Sequence, residues 1–163
     1  MLQLFLFLHV LGAIAVFGPT FAFPLISRQA AGAPQHGHFA AIVVDLIERR
    51  IVIPGAIVQG ITGVALILIL GADLGSAAYR WLIAGIVLYL VAVTFAVAVQ
   101  APAAARMVAL TAGGPPAGTP PAAAPAGPPP EIVATARRLQ QGGIFLTVLI
   151  VLIVALMVVK PGV

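Results

Sequence analysis

The sequence predicts an all-α integral membrane protein, a four-helix bundle with both termini on the outer side, and three observations carry that prediction. Of 163 residues, 62% are hydrophobic and only 7% charged, and the mean hydropathy is +1.19. Eight Lys and Arg with four Asp and Glu are too few to clothe a water-soluble core of this length. The apolar residues fall in four runs, each near the roughly 20 residues that a helix needs to cross about 30 Å of hydrocarbon. Continuous runs of this kind satisfy their backbone as helices, unlike the alternating short strands of an outer-membrane barrel.

The first span, about residues 2–26, is uncharged and contains His9, Pro19 and Pro24. It has no basic leader and exceeds a signal-peptide core in length, so it reads as a retained helix. The two prolines predict a kink at Pro19 and an end after Pro24. The loop that follows carries His36 and His38, a pair with metal-ligand spacing that reads as a solvated loop, because no cysteine exists and the only methionines are Met1, Met107 and Met157. Lack of cysteine also excludes disulfides, thiolate metal sites and cysteine nucleophiles.

The second span, about 51–71, follows "FAAIVVDLIERR", whose Asp45, Glu48, Arg49 and Arg50 predict an interfacial turn or two at the membrane surface. Within the span, Gln59 stands among Gly55, Gly60 and Gly63, a pattern of close helix packing or of a polar contact to a substrate. Asp73, in the next loop, and Glu131 read as caps or surface charges. The third span, about 81–104, opens on Tyr79, Arg80 and Trp81, which suit an aromatic belt at the outer surface. Residues 112–130 contain eight prolines and, apart from one threonine, only alanine and glycine. They read as a Pro/Gly/Ala-rich cytoplasmic linker. The fourth span, about 140–159, ends at Lys160.

Arginines concentrate at 28, 49 and 50 and at 106, 137 and 138, so the positive-inside rule places the first and third loops in the cytoplasm. The pI near 10.8 reflects these few arginines facing lipid headgroups, and no nucleic-acid partner is expected. The setting implied is a multi-pass protein of the cell membrane whose first partner is the lipid bilayer.

Counted from the outer surface, His9 lies about 11 Å deep, and Thr62 and Tyr89 come to a similar depth. An imidazole, a hydroxyl and a phenol in one layer can satisfy each other where no water is present. His9 then has two readings, an inter-helix hydrogen-bonding residue or an axial ligand to b-type haem. No second intramembrane histidine exists, so a haem here would need five-coordinate iron, another ligand or a partner chain. No phosphate-binding loop, catalytic triad or intramembrane carboxylate pair is present.

"HVLGAIAVFGPTFAFP", with His9, Gly18, Phe21 and Pro24, resembles the first helix of the HemJ-type protoporphyrinogen oxidases. "ERRIVIPG" and the terminal "VVKPG" are similar to segments of that family in the same order. The resemblance implies a four-helix haem-associated fold with His9 as haem ligand. Where that family has a lysine shortly after the tryptophan of the third helix, this chain has Gly85, so no oxidase reaction is carried over. A nearer resemblance is to a domain-of-unknown-function family of predicted four-helix membrane proteins, which has no assigned reaction to transfer.

Three functions follow in order. The first is a haem-binding or redox-associated protein, with His9 on iron and Thr62 and Tyr89 tuning the pocket. The second is a non-catalytic accessory or structural subunit, as a homo-oligomer or within a larger membrane complex. Transport of a small solute or metal ranks last, since no coupling-ion site is evident.

The orientation is testable because the chain lacks cysteine. With single cysteines at Ala72→Cys and Ala33→Cys, an impermeant maleimide added outside intact cells should label the first and spare the second. The opposite pattern would invert the topology.

Overall fold

The structure, a computed structural model, describes residues 1–113 and 127–161. Most of the expected 112–130 linker therefore lies outside the described residues. Among those described, four helical rods are long and apolar enough to span a membrane, Leu2–Gly32, Gly37–Leu70, Ala77–Thr111 and Pro130–Val159. Each is longer than the apolar run that announced it.

The first rod joins α1 (Leu2–Phe17) to α2 (Phe23–Gly32) through a 3-10 turn at Gly18–Ala22. Pro19 lacks an amide hydrogen and its ring opposes the preceding turn, so the α ladder breaks there. Thr20 Oγ1 donates to the Phe17 carbonyl at 2.6 Å and steadies the break. The expected end after Pro24 is corrected: Pro24 occupies the first turn of α2, where a missing N–H costs nothing, and the helix runs on to Gly32.

The second rod joins α3 (Gly37–Ile47) to α4 (Ile53–Leu70) through a π turn at Glu48–Val52. The third joins α5 (Arg80–Phe95) to α6 (Ala101–Thr111) through another at Ala96–Gln100. A proline follows each π turn closely, Pro54 and Pro102. The hydrogen bond each proline cannot make leaves slack in the ladder, which the wider turn takes up. Arg49 Nη2 donates to the Ala101 carbonyl at 3.4 Å, which brings the two π turns to one level. The fourth rod is α7 (Pro130–Val159), a single uninterrupted helix.

The α3 segment is therefore more than an interfacial turn or two; it is a full helix continuous with α4. His38 belongs to it, half-buried, with Nδ1 at 3.1 Å from Thr111 Oγ1. The solvated-loop reading of His38 is thereby corrected, while His36 sits in a short 3-10 turn at Pro34–His36. At the other end, Gly71 closes α4 in the left-handed conformation, φ 60°, which a residue without Cβ adopts freely. Asp73 then accepts from the Gly75 amide at 2.9 Å and Ser76 caps the next turn through Ala78 N at 3.4 Å, so Asp73 is a turn residue as expected. Glu131 makes only an exposed 3.5 Å pair with Arg106, of little energetic weight.

Packing differs between the two halves of the bundle. In the half nearer Met1 and Lys160, α1 lies on α4 and α5 on α7, and the two pairs touch little. In the half nearer the arginines, α3 packs on α6, α6 on α7 and α2 on α3 and α7. Small residues make that closure tight: Ala101, Ala103 and Ala104 are among the few buried side chains. Large apolar side chains such as Ile14, Leu25, Leu68 and Val158 lie exposed along the rods, which in water would be a severe liability and in lipid is the required surface.

Two glycines show how close the rods approach. A Cβ at Gly85 would meet the Cε of Met157 at 2.6 Å, the movable tip of a long side chain. A Cβ at Gly55 would run into the branched side chain of Val16, which has no such freedom. Gly55→Val should therefore destabilise the bundle by ~1–3 kcal/mol, and Gly85→Ala by less than ~1 kcal/mol. Reversible unfolding in mixed detergent and sodium dodecyl sulfate measures both.

Candidate functional site

The seam between α1 and α4 is polar along one register. His9 Nδ1 lies 2.8 Å from Thr62 Oγ1. One turn further, Gln59 Nε2 donates to the His9 carbonyl at 2.8 Å, and a Cβ at Gly12 would meet Gln59 Oε1 at 2.8 Å. One turn beyond, Val16 fills the space left by Gly55. The contacts step by three and four residues on each helix, the spacing that keeps side chains on one face.

The hydrogen-bond directions follow from the inventory of donors. Thr62 Oγ1 also lies 3.0 Å from the Gln59 carbonyl; with its proton donated there, its oxygen accepts from His9 Nδ1–H. That arrangement corresponds to the tautomer with an unprotonated Nε2. That atom has no hydrogen-bond partner among the described residues and is not among their sealed, unsatisfied atoms. Its lone pair is open, and His9 lines the cavity described below. A Cβ at Gly63 would touch the ring at Cε1, 3.3 Å away, so Thr62 and Gly63 together hold the imidazole against α4.

Tyr89 does not complete the expected layer. Its hydroxyl donates to the Ala56 carbonyl at 2.6 Å, and its ring tip presses on Gly60, where a Cβ would lie 2.7 Å from the oxygen. Of the layer expected from His9, Thr62 and Tyr89, the first two pair with each other, while the Tyr89 hydroxyl forms its own bridge to Ala56 beside Gly60, two residues or about 3 Å of helix rise from Thr62. That bridge ties α5 to α4 across the gap between the two helix pairs.

The gap is a cavity of about 2800 Å³ with walls from all four rods. It exceeds the roughly 300–1,000 Å³ common for small-molecule sites, and its lining is mostly apolar, with polar interruptions that include His9, Gln59, Tyr89, Glu48 and Gln100 and charged residues such as Arg28, Arg137 and Lys160 toward its ends. At the far end of α5 and α7, Lys160 Nζ lies 5.6 Å from the centre of the Trp81 ring, a cation–π contact. Trp81 Nε1 is buried without a partner. No cluster of three or more His, Cys, Asp or Glu able to hold a metal ion occurs among the described residues.

The chain matches, over residues 3–161, the family described as predicted integral membrane protein (DUF2269). It belongs to that family. No curated protein and no solved structure matches it. Membership agrees with the four apolar rods and leaves function to the geometry of the site.

Sequence reasoning missed three parts of that geometry. Gly12 carried no signal beyond being small, because its role is to admit Gln59 from another helix. Gln100 was hidden in an apolar run; it is buried, donates from Nε2 to the Leu139 carbonyl at 3.1 Å, and its Oε1 occupies the space a side chain at Gly142 would need. Glu48 stood in a charged cluster that reads as surface, yet it is 3% exposed. Proline two residues after a polar side chain, as in Gln100–Ala101–Pro102, was the available clue to an irregular helix there.

The seam should be energetically coupled. In a double-mutant cycle, Thr62→Val and His9→Leu should show an interaction of ~0.5–1.5 kcal/mol, measured by unfolding in sodium dodecyl sulfate. Strict additivity would mean that the pair contributes no bond.

Proposed function

We propose that this protein binds a haem within the bilayer, with His9 as the iron's axial ligand, and serves a redox-associated role in the cell membrane with its termini outside. The observation that supports the reading is the setting of His9: its Nδ1 lies against Thr62 Oγ1, which has the Gln59 carbonyl for its own proton, its Nε2 has no partner among the described residues, and the residue lines a largely apolar cavity. A neutral imidazole whose second nitrogen is anchored is the donor that haem iron takes.

The donor set fits one axial position and no more. His9 would hold the iron and Thr62 would fix the ring, while apolar walls from α1, α4 and α5 would surround the macrocycle. Tyr89 is committed to Ala56 and so would shape the wall without approaching the metal. A second axial ligand would come from a small molecule or from another chain in a homo-oligomer or membrane complex. When bound, haem supplies one-electron chemistry; the chain's own part is to orient the ligand nitrogen and exclude water.

The full-length protein, purified in mild detergent and titrated with haemin, should develop a Soret band that saturates at one haem per chain. His9→Ala should abolish it, and Thr62→Val should weaken haem affinity by ~10–100-fold, the usual effect of removing a partner that orients a metal ligand. No band, or one unchanged in folded His9→Ala, would leave His9 as an inter-helix hydrogen-bonding residue alone.

A further inference from the structure

Glu48 is the one charged side chain buried among the described residues. It opens the π turn Glu48–Val52 and lines the inter-rod cavity. No hydrogen bond or ion pair reaches its carboxyl group among the described residues. Only 3% of the residue is exposed, its oxygens are not among the sealed, unsatisfied atoms, and the residue is part of the cavity wall.

The neighbouring cation does not serve it. Arg49 Nε is engaged with Asp45 at 2.8 Å, and Arg49 Nη2 reaches toward the Ala101 carbonyl. Arg28 and Arg137 also line the cavity, but both are exposed, and Lys160 is stacked on Trp81 at the other end. A carboxylate isolated this way is costly in an apolar setting, a cost relieved by a proton or by another positive charge that meets it.

The surroundings narrow the class of that partner. A hard metal ion needs about six oxygen ligands, and a single carboxylate without a metal-holding cluster does not supply them. A small ion can keep its hydration shell in so roomy a space and gains no contact from walls such as Val52, Val93 and Ala104. A bulky organic cation carries diffuse charge that is cheap to desolvate, gains apolar contact, and meets aromatic faces from Phe17, Phe23 and Tyr89 on the same cavity. We infer that Glu48 is the counter-charge of an intramembrane site for monovalent organic cations with large apolar bodies, seated in the cavity between the two helix pairs. This site is independent of haem ligation by His9.

Equilibrium binding of tetraphenylphosphonium to the full-length protein in mild detergent tests the site. Saturable binding is expected, weakened at least about tenfold by Glu48→Gln and largely kept by Glu48→Asp, as attraction between opposite charges in a low-dielectric site requires. Tetraphenylborate, of the same shape and opposite charge, titrated alone should show no saturable binding. Absent saturable binding of tetraphenylphosphonium, equal affinity in folded Glu48→Gln, or comparable saturable binding of tetraphenylborate would overturn the inference. If Glu48→Gln fails to fold, dicyclohexylcarbodiimide labelling of the wild type decides: saturating tetraphenylphosphonium should protect Glu48, and unprotected labelling would refute the site.

Discussion

A bilayer interior offers a polar side chain no water, so each histidine, glutamine, threonine and tyrosine within the rods must be met by another group of the chain. The bundle is arranged around that requirement. His9 is met by Thr62, Gln59 by the His9 carbonyl, Tyr89 by the Ala56 carbonyl and Gln100 by the Leu139 carbonyl. Three of these four bonds end on a backbone carbonyl, which already serves its own helix and has a second lone pair to offer. The glycines follow from the same need, since a carbonyl or amide can be reached from a neighbouring helix only where no side chain stands in the way, as at Gly12 and Gly142.

Prolines supply the second theme. Pro19, Pro54 and Pro102 each disturb a rod, and the disturbances fall at one level of the bundle: a 3-10 turn in the first rod and π turns in the second and third. Glu48 opens one π turn and Gln100 closes the other. An irregular turn re-aims a side chain that a regular helix would send elsewhere, which is why such turns gather at functional positions. Here they bring a carboxyl and a carboxamide inward from segments whose other faces meet lipid.

The cavity runs between the rods from Trp81 and Lys160 at one end to Arg28 and Arg137 at the other, through two halves that pack differently. Alanines let α3, α6 and α7 close tightly at the arginine-rich end, whereas α1–α4 and α5–α7 remain separate pairs joined by Tyr89. Two residues with polar groups left unpartnered among the described residues, His9 at Nε2 and Glu48 at its carboxyl group, both line this space. As proposed above, one would offer a lone pair to a metal centre and the other a charge to a cation, at different depths of the same space.

The sequence by itself determined the membrane class, the four apolar runs and the His9–Thr62 match, because hydropathy and the 1.5 Å rise per residue are local properties that need no partner to be read. It also placed Pro19 as a break. Only the tertiary structure decided that α2 continues past Pro24, that Tyr89 pairs with Ala56, and that Glu48 is buried. Those outcomes depend on which helix stands opposite, and a charged residue near a membrane boundary carries no mark in its own sequence of whether its neighbours will be headgroups or another rod.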